Sequence, residues 1–144
     1  MRKYLSPVIV IISLLALVSA GLAGCGQSGS TTTTATYKNA SVGEAFSLIA
    51  NNQDNADFVI IDVRTPAEYA EGHIAHAVLV DLNSGSFDTE IVKQDKSKKY
   101  LVYCRSGNRS ATASGKMVRF GFTDVTNMTG GITDWVSAGY PVLQ

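Results

Sequence analysis

Tyr100-Leu-Val-Tyr-Cys-Arg-Ser-Gly-Asn-Arg-Ser110 restricts the fold more than any other stretch of the chain. A short apolar run, Tyr100 to Tyr103, breaks at Cys104 into polar and glycine residues, and Ala111, Thr112 and Ala113 follow. That order predicts a buried strand, a tight loop and the start of a helix. Such a loop turns its backbone N–H groups inward, and the unpaired donors of the helix N-terminus point the same way. A cysteine at its mouth sits in an anion cradle, which favours thiolate over thiol and makes the sulfur a nucleophile. Gly107 supplies the positive φ at which the loop can curl, and Arg105 and Arg109 add positive charge. A buried structural cysteine is the alternative. The apolar run stops where cationic and glycine residues begin, which favours the reactive reading.

The 144 residues allow one domain with a proper core. Met1-Arg-Lys gives a charged start, Val8 to Val18 is apolar except for Ser13, and Leu22-Ala-Gly-Cys25 follows. The run is short for a spanning helix and small residues come after it, the layout of a secretory signal peptide. Leu22-Ala-Gly-Cys25 also resembles the bacterial lipobox, which implies that Cys25 is lipidated and becomes the new N-terminus. The expected organisation is a lipoprotein signal peptide over residues 1–24, a flexible Gly/Ser/Thr tether over 25–36, and a folded domain over 37–144. Such a chain is extracytoplasmic and lipid-anchored to a bacterial membrane; an uncleaved membrane anchor is the alternative. Cleavage would remove Arg2 and Lys3 and no acid, leaving a slight negative charge and no nucleic-acid surface. With Cys25 lipidated, Cys104 has no partner for a disulfide or a CxxC couple. A lone thiol in an exported protein points to chemistry at sulfur.

Ser41-Val-Gly-Glu44 has the spacing of a capping box, with Ala45, Phe46, Leu48 and Ile49 forming the apolar face of the helix it opens. Phe58-Val-Ile-Ile-Asp-Val63 predicts a strand covered on both faces. Thr65-Pro-Ala-Glu68 combines an N-cap, a proline at the first helical position and a capping glutamate, and Gly72 ends that short helix. Ala77 to Asp81 predicts a second strand, with a helical turn or two around Asp88 to Lys93 and a solvated basic cluster at Lys96, Lys98 and Lys99. A helix is expected over Arg109 to Phe120, a short strand over Asp124 to Asn127, and a last helix opened by Gly130-Gly131 with Trp135 in the core. Strands alternating with helices predict a parallel α/β sheet, with reactive loops beyond the carboxyl ends of its strands.

Four stretches together resemble the single-domain rhodaneses: Ile61-Asp-Val-Arg64 with Glu68-Tyr69; Glu71-Gly-His-Ile74; Tyr103-Cys-Arg-Ser-Gly-Asn-Arg-Ser110; and Gly130-Gly-Ile-Thr-Asp-Trp135 with Ala138-Gly-Tyr-Pro-Val142. The likeness covers about Asn39 to Leu143. It departs at Ala75-His76, where the family usually has a small residue or proline followed by glycine, and in the next segment, which lacks the usual asparagine. The resemblance implies a single rhodanese-like domain, with a central parallel sheet of about five strands and helices on both faces. It implies a sulfurtransferase that moves a sulfane sulfur from a donor such as thiosulfate or polysulfide to a thiophilic acceptor, through a persulfide on Cys104. The acceptor is cyanide, a thiol or a protein. No metal or organic cofactor is needed.

On this reading Cys104 is the nucleophile, and Arg105, Ser106, Gly107, Asn108, Arg109 and Ser110 form the active-site loop. Arg105 is the expected contact for an anionic donor. Arg109 is expected to be held inward by a carboxylate, with Asp62 the candidate partner. Asp62 and Arg64 are open between a scaffold ion pair and direct catalysis. His73 and His76 lie three apart, but no ligand pattern surrounds them, so a hydrogen-bonding role for His73 is expected in place of a metal site. Two other readings remain. A phosphatase or arsenate reductase also uses cysteine in an anion loop, but the related phosphatases show Cys-x5-Arg and this chain Cys-x4-Arg, a tighter ring. A non-turnover sulfur carrier or sensor, or a partner-binding module, has the same loop and differs in lacking steady-state turnover.

Overall fold

A computed structural model describes residues 36–144. The expected signal peptide, Cys25 and the expected tether as far as residue 35 lie outside the described residues. The elements, in order, are β1 (Lys38–Ala40), α1 (Val42–Ala50), β2 (Phe58–Asp62), α2 (Pro66–Glu71), β3 (Ala77–Leu79), α3 (Phe87–Ile91), β4 (Lys99–Tyr103), α4 (Asn108–Arg119), β5 (Asp124–Met128) and α5 (Gly131–Ser137).

The five strands form one sheet in the order β1-β5-β4-β2-β3, and every pairing is parallel. From β2 the chain moves outward to β3, and from β4 it moves outward the other way to β5. The boundary between β2 and β4 is therefore the topological switch point, and the crevice past its carboxyl ends is where an open α/β sheet takes its ligand. Cys104 is the first residue beyond β4 and lies at that point.

Alternation along the strands divides the core in two. Ile61, Val63, Tyr100, Val102 and Cys104 pack with Phe87 and Ile91 of α3 and Ala113 and Met117 of α4. Ile60, Leu101, Tyr103 and Met128 pack on the other face with Ala45 of α1 and Ile132 and Trp135 of α5. Helices thus cover both faces, which is why β2 and β4 carry nearly unbroken apolar runs.

Both expected capping boxes are present. Ser41 and Glu44 close one at the start of α1; Thr65 and Glu68 close the other at α2, with Pro66 in the first turn. Strand β1 has no counterpart in the sequence reading. Lys38-Asn-Ala40 carries no alternation of apolar residues, and it is a strand because its backbone pairs with Thr126, Asn127 and Met128.

His76 holds φ at +63°, and it is the only non-glycine described residue at positive φ. It stands at the position where the resemblance calls for glycine, so the departure leaves the turn intact and strains it. The left-handed conformation costs an ordinary residue about 1–2 kcal/mol, partly offset because a glycine loses about 0.4–1 kcal/mol more chain entropy on folding. The side chain is exposed. His76→Gly is therefore expected to stabilise the domain by about 0.5 kcal/mol, measured as a small upward shift of the denaturant midpoint.

Candidate active site

The loop is short because β4 ends one residue before Cys104 and α4 begins at Asn108. Gly107 is the N-cap of α4 at φ +95°, so its peptide turns inward. Its N–H donates to Cys104 Sγ at 3.1 Å, and Ser110 Oγ lies 3.5 Å from the same sulfur. Ser110 Oγ also lies 3.0 Å from the Gly107 carbonyl, which fixes the hydroxyl under the loop. Asn108, Arg109 and Ser110, expected in the loop, form the first turn of α4.

What holds the amides inward is the carbonyl side of the loop. Ile132 N–H donates to the Cys104 carbonyl at 2.8 Å and Thr133 N–H to the Arg105 carbonyl at 3.1 Å. The orphan donors at the start of α5 are thus satisfied by the back of the loop. This contact explains Gly131. A Cβ on Gly131 would stand 2.5 Å from the Arg105 carbonyl carbon and oxygen and from the Cys104 carbonyl oxygen.

Cys104 is 1 % exposed and joins the apolar cluster under α4 on one side while meeting the loop amides on the other. Burial pushes its thiol pKa up. The Ser110 hydroxyl and the N–H groups of Ser110, Ser106 and Gly107 outweigh that push and hold the thiol below its ordinary value. The arrangement aims backbone N–H groups and one hydroxyl at a cysteine sulfur, where they favour its anion over the neutral thiol.

Arg109 does not meet Asp62. Its guanidinium makes a two-pronged pair with Glu68: Nη1 to Oε2 at 2.8 Å and Nη2 to Oε1 at 2.6 Å. Asp62 is fully buried, and its carboxylate is already committed to Arg64, which donates from Nε at 3.0 Å to both oxygens and from Nη2 to Oδ2 at 2.7 Å. Arg64 Nη2 also donates to the Gly72 carbonyl at 2.7 Å, and its guanidinium lies 5.7 Å over the Tyr103 ring. Asp62 is in register with Tyr103, so its side chain is on the sheet face opposite Cys104. The Asp62–Arg64 pair therefore braces the ends of β2 and β4 and does not touch the sulfur.

Glu68 is the residue the sequence reading undervalued. Its Oε2 accepts from Thr65 N–H at 3.1 Å and Thr65 Oγ1 at 3.0 Å while also accepting from Arg109. The Arg109 guanidinium holds its carboxyl down to about 2. A capping glutamate has a second oxygen free for a cation, and that was the available signal.

Arg105 and Ser106 are exposed at the loop mouth. His73 sits outside the loop: Nδ1 is 3.2 Å from the Tyr69 carbonyl, its ring stacks on Tyr69 at 3.8 Å, and its backbone bridges Leu143. It fastens the C-terminal segment to α2. Trp135 is buried, with Nε1 donating to the Pro141 carbonyl at 3.0 Å. A groove of about 510 Å³ lined by Phe46, Ile49, Phe58, His76 and Trp135 among others includes no residue of the Cys104 loop.

Residues 46–138 match the family model described as the rhodanese-like domain. The chain is similar to a sulfurtransferase of Allochromatium vinosum, 33% identical over 97 residues that span 67% of this chain and 89% of that protein. It is likewise similar to the thiosulfate sulfurtransferase GlpE of Coxiella burnetii, 36% identical over 99 residues, or 69% of this chain and 87% of that one. A crystal structure of a rhodanese-related protein from Thermoplasma volcanium aligns with a TM-score of 0.62 at 29% identity, covering 74% of this chain and 98% of that one.

Proposed function

The chain belongs to the rhodanese-like family, with named sulfurtransferases among its relatives, and on that premise we propose that Cys104 carries sulfane sulfur from a donor to a thiophilic acceptor. The observation that supports this most directly is the position of Cys104 Sγ, facing the Gly107 N–H and the Ser110 hydroxyl in a loop tied back by α5.

The chemistry runs as two displacements at sulfur. The Cys104 thiolate attacks the outer sulfur of a donor such as thiosulfate; the S–S bond of the donor breaks, and sulfite leaves with the bonding pair. The Cys104 persulfide anion now places its charge one atom further out, where the amides at the loop mouth and the N-terminus of α4 stabilise it. Cyanide or a thiolate then attacks the terminal sulfur, and the Cys104 thiolate departs as the leaving group, ready for a second cycle. Neither step requires a metal or an organic cofactor. The lipobox at Cys25 supports a location outside the cytoplasm, on a bacterial membrane.

Intact-mass measurement of the domain after incubation with thiosulfate tests the reading. The expected result is a gain of one sulfur atom at Cys104 that cyanide removes. A mass that stays unchanged with both thiosulfate and polysulfide would sink it.

A further inference from the structure

The loop is flanked by two cations in sequence, Arg105 and Arg109, yet the two are in different situations. Arg109 is locked against Glu68 through two short bonds, and both side chains are only about a quarter exposed, at 25% and 23%. A part-buried, two-pronged pair of this kind behaves as one neutral unit. On the opposite sheet face Arg64 is cancelled by Asp62 in the same way. Asp134, in the first turn of α5, lies against Gly130 behind the loop and adds a negative charge there. Arg105 is left as the one loop cation without a carboxylate partner among the described residues, and it is exposed.

A site with one cation at its mouth and a ring of amides inside is matched to a monoanion. It is poorly matched to a compact dianion, which must lose the water around two charges to enter. We propose that Glu68 sets the charge selectivity of the site: by neutralising Arg109 through the two-pronged pair it favours singly charged organic persulfides, R–S–S⁻, over dianionic thiosulfate as sulfur donors. With a persulfide donor, the Cys104 thiolate attacks the terminal sulfur, the donor S–S bond breaks, and the thiolate R–S⁻ leaves and takes a proton from water. Glu68 is a positioning residue here, acting through Arg109 and not on the reacting atoms. The inference rests on the sulfur-carrier reading of Cys104 given above.

Glu68→Gln is the test. Glutamine keeps an oxygen at the third helical position to accept from Thr65, so α2 retains its cap, while Arg109 loses its counter-charge and is free to turn toward the sulfur. Steady-state kcat/KM is measured with thiosulfate and with 2-hydroxyethyl persulfide, whose only charge is on the terminal sulfur, as alternative donors. In the natural protein the persulfide is the better donor. In E68Q the value for thiosulfate rises about five- to tenfold while that for the persulfide changes less than about twofold. The thiosulfate gain shrinks at high ionic strength and disappears in E68Q/R109Q, which restores the natural charge without the pair. Equal changes for the two donors, a fall for thiosulfate, or a gain that survives in the double variant would each overturn the proposal. The two levels are separable: if the natural protein gains no sulfur at Cys104 from either donor, both readings fall, whereas normal loading with an unchanged donor ratio in E68Q removes only this one.

Discussion

Cys104→Ser abolishes sulfur transfer and leaves the domain folded. The change swaps one atom, so the packing under α4 is kept, and the serine oxygen can still accept from the Gly107 N–H that now meets sulfur at 3.1 Å. Stability therefore moves by no more than about 1 kcal/mol, the scale of one altered hydrogen bond. Activity has no such fallback. A serine hydroxyl stays protonated near neutral pH and has no affinity for the outer sulfur of a donor, so kcat/KM falls by at least about a thousandfold. Thiosulfate:cyanide turnover together with a thermal melt measures both halves. Retained transfer in a well-folded serine variant would take Cys104 out of the mechanism.

Gly131→Ala is expected to be the most damaging single-methyl change in the site. The residue holds φ at +61°, and its new Cβ would meet backbone atoms of Cys104 and Arg105 at 2.5 Å. Backbone cannot swing aside as a side-chain tip can, so α5 must lift away from the loop. That movement lengthens the bonds from Ile132 N–H and Thr133 N–H to the two loop carbonyls. The left-handed strain and the two weakened bonds together cost about 3 kcal/mol. The amides around the sulfur lose their alignment as well, and kcat/KM falls by about a hundredfold even in the folded fraction. Gly139→Ala is the control. It shares the positive φ, at +79°, but its added methyl meets nothing within 4 Å. It should lose about 1–2 kcal/mol of stability with the activity of the folded protein unchanged. Equal loss of activity in both variants would show that α5 does not shape the loop.

Legibility from sequence followed the range of the interactions involved. The strand–loop–helix around Cys104 and both capping boxes are local, with each partner within a few residues of the other, and they stand where the spacing placed them. The two-sided burial of β2 and β4 was readable from apolar runs. Strand β1 was not, because its identity comes from backbone pairing with a strand more than eighty residues away. The partner of Arg109 was misassigned for a related reason. Asp62 and Glu68 are both acids near the same loop, and the choice depends on how α2 sits across α4. That Arg64 would already occupy Asp62 was visible as a possibility; that it left no oxygen for Arg109 required the geometry. The Gly130-Gly131 pair signalled a helix start, but only the structure shows that this helix leans on the reactive loop.

The common direction of all the strands gives the domain a front and a back. The chain joins the sheet from residue 36 into the foot of β1, the end at which β2, β4 and β5 also begin, and Cys104 comes off the far end of β4. A five-residue strand puts about 16 Å of sheet between the two. Residue 36 therefore enters the domain at the end of the sheet away from the sulfur, and a label placed there stands clear of the Cys104 loop.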